Sequence, residues 1–228
     1  GIASPHLDAE QIHMLNLYLQ RLGLTGLETE INSLGCPICR PKFLKAFHDY
    51  LAGSREVLCE DCRRRMEKNP LRVLDCKEAA CRKVADEGPS IQDFLCDACE
   101  RDFDTVLETL GHLGSSYRIN PRIVRGLDYY TKTTFEITSP RLGAQNAVAG
   151  GGRYDGLVRL MGGPNLPGIG FAVGLERLVD LMKERAASPR PLPSRVFLAP
   201  LGVEALPEAV KIAQSLRNAG CVVDVDYD

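Results

Sequence analysis

The first part of the chain has the hydrophobic spacing of an amphipathic helix. Over residues 7–25, apolar side chains return at roughly helical intervals, and Gly23 acts as a stop signal. The apolar positions are Ile12, Met14, Leu15, Leu17, Leu19 and Leu22. The stretch LETEIN that follows predicts a strand whose side chains alternate between two faces.

From Gly35 to about Leu110 the pattern changes to short helical stretches interrupted by pairs of cysteines. Examples are PKFLKAFHDYLAG and CERDFDTVLETLGHLG. This pattern predicts a small helix-rich module inserted between pieces of a larger domain. Twelve Lys or Arg nearly balance eleven Asp or Glu over residues 36–99, and we interpret the run Arg63–Arg65 as a solvated helix face.

Beyond Tyr117 the pattern becomes that of strands, in YRIN, TKTTFEITS and QNAVAGG. In the second of these, polar residues alternate with Phe135 and Ile137, which predicts a strand with one polar face. GIGFAVGLERLVDLMKER then predicts a strand, a turn and a helix. The residues expected on the buried side of that helix are Leu175, Leu178, Val179 and Met182.

The stretch AASPRPLPSR is rich in proline and serine and predicts a linker. After it, RVFLAPLG, EALPEAVKIAQSLRNAG and CVVDVDYD predict a strand, a helix and a strand, which is the start of an α/β domain. The chain begins at Gly1 without an initiator methionine and ends within this last pattern. We therefore expect it to be a fragment of a longer protein.

The composition is that of an ordinary globular protein, with 44% hydrophobic and 25% charged residues. No stretch reaches the roughly 18 apolar residues of a membrane span, and no signal peptide opens the chain. The net charge of −2 argues against a generally basic nucleic-acid-binding surface, although a local patch remains compatible with it. We expect a cytoplasmic protein without membrane association.

Eight of the nine cysteines lie in four close pairs. The pairs are Cys36 with Cys39, Cys59 with Cys62, Cys76 with Cys81, and Cys96 with Cys99. Two thiolates separated by two residues can face one tetrahedral ion, and two such pairs complete a closed structural zinc site. The pattern favours structural Zn²⁺ over disulfides or reduced thiols, and the spacing alone does not say which pairs combine.

Three further motifs each have an ordinary structural explanation when taken alone. AVAGGGRYDGL lacks the Gly-Lys-Ser/Thr of a P-loop and the G-x-G-x-x-G of a dinucleotide site, so it fits a glycine-rich turn between strands. GLDYY fits two packed tyrosines at the start of a strand. GLERL fits the first turn of a helix, with Arg177 in solvent.

In the order VRGLDYYTKTTFEI, GGGRYDGLV, GFAVGLERL and an α/β domain, the segments closely resemble bacterial histidyl-tRNA synthetases. The first two resemble that family's histidine-recognition signatures, and the third resembles motif 3 of class II aminoacyl-tRNA synthetases. The resemblance covers essentially the whole chain, including INSLG and NPLRVLDCK. It implies an α+β fold: part of the class II antiparallel-sheet catalytic core with a helical cysteine-rich insertion, followed by the start of an α/β anticodon-binding domain.

The implied activity joins histidine to ATP to form histidyl-adenylate and then transfers histidine to tRNA(His). Arg125 is the implied catalytic residue beside the α-phosphate and the histidine carboxylate, because a planar guanidinium suits both groups. Tyr129 and Tyr130 line the implied imidazole pocket, where a phenol can satisfy a ring nitrogen. Asp128 is implied to shape this pocket, although an aspartate here could equally cap a turn, and Arg177 is implied to hold the γ-phosphate and stack on adenine.

The resemblance also implies the opposite wall of the histidine pocket. Arg153 and Tyr154 form this wall, and Gly151 and Gly152 let the ligand approach the backbone. ATP acts together with Mg²⁺, and the full-length protein is implied to be a homodimer that binds tRNA(His).

The implied domain boundaries place the catalytic core at residues 1–34 and 113–184, the insertion at 35–112, a linker at 185–194, and the anticodon-binding domain at 195–228. The insertion is implied to meet the acceptor arm of tRNA. Motifs 1 and 2 are expected before Gly1, and motif 2 supplies an arginine for the ATP phosphates. We therefore expect the fragment by itself to be inactive.

Two other interpretations compete with this one. The regulatory subunit of ATP phosphoribosyltransferase shares the synthetase-like fold, but the intact RGLDYY and the strand-helix-strand after Ser194 argue against it. A zinc module that binds nucleic acid is the other alternative, and the nearly balanced charge of the cysteine-bearing region argues against that function.

Overall fold

A sheet with the strand order β2-β1-β3-β4-β5 organises the larger part of the chain. Its strands are β1 (Glu28–Ser33), β2 (Arg118–Ile119), β3 (Thr131–Thr138), β4 (Ala147–Arg153) and β5 (Ile169–Val173). β1 and β2 run parallel, and the other neighbouring strands run antiparallel. The computed structural model describes residues 1–124, 129–143, 145–183 and 193–227.

Helices surround and interrupt this sheet. They are α1 (Pro5–Arg21), α2 (Arg40–Gly53), α3 (Glu60–Lys68), α4 (Ala79–Glu87), α5 (Asp97–His112), α6 (Leu157–Leu160), α7 (Leu175–Lys183) and α8 (Leu206–Asn218). The mixture of sheet and helices confirms the α+β class. None of the helices in the described ranges combines the length and the apolar character needed to cross a membrane.

The chain divides into two compact units, Gly1–Arg185 and Ala186–Asp228. In the second unit, β6 (Arg195–Leu198) and β7 (Val222–Val225) pair in parallel, and α8 lies between them in sequence. The predicted strand-helix-strand order of this region is therefore confirmed.

One hydrophobic core of the first unit lies on one face of the sheet. The strands contribute Ile31, Phe135 and Ile137 to it, and α1, α5 and α7 cover them with apolar side chains. The main helical residues of this core are Ile12, Leu15, Leu19, Phe103, Val106, Leu110, Leu178 and Leu181. Burial of apolar area on this scale is the principal force that holds the helices against the sheet.

A second core belongs to the cysteine-bearing helices. Phe43, Phe47 and Leu51 repeat every four residues along α2 and are all buried. The rings of Phe43 and Phe47 stack with their centroids 5.4 Å apart. Tyr130, next to the start of β3, belongs to the same core, so the helical module packs directly against the segment that precedes this strand.

LETEIN forms β1, and its side chains alternate between two faces as predicted. Every residue from Thr29 to Ser33 is buried, because β2 and β3 cover the edges of the strand and other parts of the chain cover both of its faces. The apolar side packs on the helices. On the polar side, the Asn32 amide donates to the backbone carbonyls of Pro121 and Ile123, at 3.1 and 3.2 Å.

The predicted helix ends and faces need correction. α1 spans Pro5–Arg21 and not residues 7–25. In α7, Leu178 and Leu181 are buried, whereas Leu175 is 65% and Val179 39% exposed. Two side chains three residues apart lie on the same face of a helix, so this short helix presents only a narrow stripe to the sheet.

Candidate functional site

The sheet has a polar face opposite its helix-covered face. The register pairs Glu30 of β1 with Glu136 of β3, and Asn32 with Thr134. Because neighbouring residues of a strand point to opposite faces, these polar residues share one face while Phe135 belongs to the other. The sheet therefore offers a polar floor to the space beside it.

Arg118, Asn120 and Glu30 organise one end of this polar face. The Glu30 carboxylate accepts hydrogen bonds from the Arg118 guanidinium and, at 2.7 Å, from the Asn120 amide. A cleft with a volume of about 750 Å³ opens beside them and includes Glu136 and Val124 in its lining. We call it the polar cleft. Its mixture of guanidinium and carboxylate groups suits a charged, polar ligand.

A second cleft lies where the described chain resumes after residue 128. It has a volume of about 830 Å³ and is lined by Cys36, Pro37, Arg40, Pro41, Leu44, Tyr129, Tyr130, Thr131, Lys132, Asp155, Gly156, Arg159, Leu160 and Asn165. We call it the tyrosine cleft. It is large enough for an amino acid and joins apolar surface to a few charged groups, as ligand sites commonly do.

Two tyrosines line this cleft, Tyr129 and Tyr130, and a third, Tyr154, packs against Tyr129. The ring centroids of Tyr129 and Tyr130 are 4.7 Å apart, and Tyr154 meets Tyr129 edge-on at 6.3 Å. The Tyr154 hydroxyl donates to the carbonyl of Ile169 at 3.2 Å. Such aromatic contacts fix the ring orientations beyond what burial alone does. The structure thus brings together tyrosines from both of the predicted histidine-recognition signatures.

Glycines allow these rings and strands to pack closely against one another. A Cβ at Gly168 would lie 2.5 Å from the Tyr154 ring. At Gly151 it would lie 2.2 Å from the carbonyl oxygen of Gly170, and at Gly152 2.6 Å from that of Thr133. Gly151 and Gly152 were predicted to admit a ligand. The structure shows that the close approach of the neighbouring strands β5 and β3 requires glycine at both positions.

Arg153 was predicted to form a wall of the histidine pocket, and here the geometry differs. Its side chain is 1% exposed, and its Nε donates to the Asp8 carboxylate at 3.0 Å while Nη2 donates to the other oxygen. Nη1 donates to Asp155 at 3.0 Å. The carbonyls of Ile2 and Ser4 accept the remaining hydrogen bonds.

The guanidinium of Arg153 thus has five internal contacts. Burial alone lowers its pKa, but the hydrogen bonds to Asp8 raise that pKa above the ordinary value for arginine, so the side chain stays charged. Arg153 therefore reaches the tyrosine cleft through Asp155, which lines it, and contributes almost no surface of its own.

Arg177 lies in the first turn of α7, just beyond β5. Its Nη1 donates to the carbonyl of Ala147 at 2.6 Å and its Nη2 to the side-chain oxygen of Gln145 at 3.0 Å. The side chain is half-buried. It lies across the start of β4, and the residue remains partly exposed to solvent.

The eight paired cysteines form two separate clusters. Cys36, Cys39, Cys96 and Cys99 form the first cluster, and Cys59, Cys62, Cys76 and Cys81 form the second cluster. Within each cluster, all Sγ atoms lie within 4.8 Å of one another. The first cluster unites two sequence pairs that are far apart in the chain, the second unites two neighbouring pairs, and spacing alone did not predict either combination.

The thiols of these clusters differ in acidity. Burial raises the pKa of Cys36, but hydrogen bonds from the backbone amides of Ile38 and Cys39 outweigh it and lower this pKa to about 6. Burial raises the pKa of Cys62 and Cys99. A cation would favour the thiolate form at all these positions, because metal-bound thiols are deprotonated.

Two predicted site residues, Arg125 and Asp128, lie outside the described residues. In sequence they fall between Val124, which lines the polar cleft, and Tyr129, which lines the tyrosine cleft. Sequence reasoning missed Arg40, whose Nη2 donates to the carbonyl of Tyr130. Its place directly after CPIC was the available signal.

Comparison with known proteins gives a consistent result. The family model described as histidyl-tRNA synthetase matches residues 77–178. The histidine--tRNA ligase of Desulfosudis oleivorans is 50% identical over 230 aligned residues, and that of Desulforapulum autotrophicum is 47% identical over 228. Each alignment covers 100% of this chain and 54% of the relative.

A solved structure agrees with these sequences. The crystal structure of apo histidyl-tRNA synthetase from S. aureus superposes with a TM-score of 0.69 at 33% sequence identity, covering 100% of this chain and 56% of that one. The chain thus spans about half the length of the curated relatives it matches.

Proposed function

The chain belongs to the histidyl-tRNA synthetase family, and from this premise we propose that the protein containing it is a histidine–tRNA ligase. The reaction uses ATP with Mg²⁺ to convert histidine to histidyl-adenylate and then transfers histidine to tRNA(His). The observation that carries the proposal is the tyrosine cleft, which is lined by Tyr129 and Tyr130 of one signature segment and by Asp155 and Gly156 of the other, with Tyr154 packed against Tyr129.

The tyrosine cleft is suited to an imidazole side chain. Phenol hydroxyls at its wall can donate to or accept from a ring nitrogen. Apolar amino acids of similar size leave those hydroxyls without a partner, which costs binding energy and produces specificity. Asp155 lies in the same lining and adds a carboxylate that can meet an α-ammonium group.

Charge stabilisation on the phosphates is assigned to arginines. We place Arg125 at the α-phosphate and the substrate carboxylate because its sequence position lies between residues of the two clefts. Arg177 is assigned to the γ-phosphate and adenine, since it is half-buried and bonded to the start of β4 at Ala147. Positioned cations stabilise the negative charge that develops on the phosphate oxygens during phosphoryl transfer.

We also propose the domain roles. Residues 1–34 and 113–184 belong to the catalytic core, residues 35–112 form the insertion that meets the acceptor arm of tRNA, and residues 195–228 start the anticodon-binding domain after the linker 185–194. The complete protein acts as a homodimer in the cytoplasm. These roles are supported by the family membership and by the α/β pattern of β6, α8 and β7.

Structural zinc belongs to this proposal. Each cysteine cluster offers four Sγ atoms within 4.8 Å of one another, which is the ligand type and number of a closed tetrahedral zinc site. Three of the helices in the module begin at cysteine N-caps, namely Cys39, Cys59 and Cys96. Ions bound here would fix these helix starts and add to the hydrophobic core of the module.

Metal analysis tests the zinc proposal. Chain purified without chelator should contain about two zinc ions per molecule, and Cys39→Ser should lower this to about one. Cys221→Ser is the matched control, because Cys221 lies outside both clusters; it should leave the content unchanged. Metal-free protein whose eight cluster thiols all react freely would overturn the proposal.

ATP–pyrophosphate exchange tests the catalytic proposal. The complete protein carrying this chain should show exchange that depends on histidine and no other amino acid, followed by charging of tRNA(His). A regulatory subunit of ATP phosphoribosyltransferase would show no such exchange. Absence of histidine-dependent exchange in correctly folded, zinc-loaded protein would refute the ligase function.

A further inference from the structure

The two cysteine clusters differ in what they touch. We propose that a metal ion in the first cluster positions the substrate-binding tyrosines, whereas an ion in the second cluster holds α3 and α4 together without setting the position of those tyrosines. The assignment of the tyrosines to histidine rests on the proposed function. The mechanical coupling itself rests on contacts of the first cluster.

The first cluster lies beside the junction of β1 and β3. Gly35, directly before Cys36, accepts hydrogen bonds through its carbonyl from the Lys132 amide at 2.9 Å and from the Thr131 hydroxyl at 3.0 Å. The amide of Leu34 donates to the Lys132 carbonyl at 2.7 Å. The residues that lead into the first cluster are therefore bonded to the residues that follow Tyr130.

Arg40 forms a second link between the cluster and the tyrosines. It follows Cys39, the N-cap of α2, and its Nε donates to the Leu34 carbonyl at 3.0 Å. Its Nη2 donates to the Tyr130 carbonyl. A cation bound to Cys39 would fix the start of α2. The position of α2 in turn determines whether the Arg40 guanidinium can bond to the Tyr130 carbonyl.

A third link runs through α5, which begins after Cys96 and includes Cys99. Asp102 of this helix accepts a hydrogen bond from Lys132 Nζ at 2.7 Å. Lys132 has a φ of 51°, a left-handed conformation that non-glycine residues rarely adopt and that surrounding contacts must hold in place. The first cluster is thus linked to the segment from Tyr130 to Lys132 through two helices, α2 and α5.

The second cluster has a different setting. Its cysteines lie on or between α3 and α4, and the amide of Cys59 donates to Cys81 Sγ at 3.2 Å. Cys62 and Cys81 are fully buried within the core of the module. Among the described residues, the hydrogen bonds made by the Sγ atoms of this cluster join cysteine to cysteine. An ion bound at this cluster would hold α3 and α4 together.

Two variants form a matched pair for the test. Cys59 and Cys96 are both half-buried N-cap residues with extended backbone, at φ −64°, ψ 162° and φ −79°, ψ 156°. Serine is a preferred N-cap residue, so Cys59→Ser and Cys96→Ser each remove one ligand while preserving the helix start. Both should lower the zinc content from about two ions to about one.

The kinetic outcome separates the two sites. In the complete enzyme, Cys96→Ser should raise the KM for histidine about tenfold or more while the KM for ATP changes little, since displaced substrate contacts are costly. Cys59→Ser should leave the KM for histidine within about twofold. Arg40→Ala should keep both ions yet reproduce the effect of Cys96→Ser, and Arg40→Lys should restore part of it. Equal effects of the two cysteine variants would overturn the proposal.

A readout without activity keeps this inference separate from the proposed function. In the 228-residue chain labelled with 3-fluorotyrosine, ¹⁹F NMR resonances can be assigned through Tyr129→Phe and Tyr130→Phe. Those two resonances should shift or broaden in Cys96→Ser and stay unchanged in Cys59→Ser. Unchanged resonances in Cys96→Ser would refute the coupling, whereas shifted resonances in an enzyme that ignores histidine would refute only the ligase function.

Discussion

Arg153 and Asp8 are 145 residues apart in the chain, and they form a buried ion pair with two hydrogen bonds. Asp8 lies in the first turns of α1 and Arg153 ends β4. The pair therefore joins the first helix to the strand that continues directly into Tyr154. Arg153, which was predicted to form a wall of the histidine pocket, is buried and holds the framework beside the tyrosine cleft.

Breaking this pair should strongly destabilise the chain. We expect Arg153→Met to lower the free energy of unfolding by about 3–5 kcal/mol, because Asp8 is left as an uncompensated buried charge. Urea denaturation measures the change. Arg159→Met is the control, since Arg159 is exposed in the same segment, and it should shift stability by less than about 0.5 kcal/mol. Equal losses in both variants would contradict the assigned role.

The glycine pair of β4 yields a second prediction. Gly152→Ala places a methyl group 2.6 Å from the Thr133 carbonyl and 3.0 Å from the Tyr130 ring. We expect a loss of about 1–3 kcal/mol in stability, because strands must separate to make room. The near-ultraviolet circular dichroism of the tyrosines should change as well.

Gly156→Ala is the control for that substitution. Gly156 has a φ of −90°, and a methyl group at its Cα would meet no atom of the described residues within 4 Å beyond its chain neighbours. Alanine there is therefore expected to be neutral or slightly stabilising. If Gly152→Ala were equally well tolerated, the close approach of β3 and β4 would not be what requires glycine at that position.

Arg125 provides the third prediction, which concerns catalysis. In the complete enzyme, Arg125→Ala should remove about 2–4 kcal/mol of transition-state stabilisation from adenylate formation. The loss should appear mainly in kcat, because the negative charge that Arg125 meets grows during the reaction. ATP–pyrophosphate exchange with histidine measures it, and Arg125→Lys should retain only part of the activity. Exchange at the normal rate in Arg125→Ala would exclude Arg125 from the mechanism.

Sequence patterns predicted the elements that have a clear local period. The strand TKTTFEITS became β3 with Phe135 and Ile137 in the core, and GIGFAVGLERLVDLMKER became β5 and α7. The strand-helix-strand of the second unit was also predictable, because alternating apolar strands and an amphipathic helix leave distinct signals. Local periodicity thus identified the elements, with errors at their ends and faces.

Relationships between distant residues were not predictable in the same way. Spacing paired Cys36 with Cys39 but could not select Cys96 and Cys99 as their partners, because only the path of the module brings them together. The role of Arg153 depends on Asp8, and no local pattern links these positions. The burial of both faces of β1 likewise follows from distant segments that pack on the sheet, on one side α1 and α5 and on the other Pro121 and Ile123.

The position of the first cluster has a consequence for how the chain folds. β1 and β3 are direct neighbours in the sheet, yet about 100 residues separate them in sequence, so their pairing must close a long loop before it gains any contacts. An ion shared by Cys36 and Cys96 would leave only about 35 residues to close, which lowers the entropic cost by about 1 kcal/mol. Refolding in the presence of zinc should therefore be several-fold faster, because the metal acts at the transition state for sheet formation.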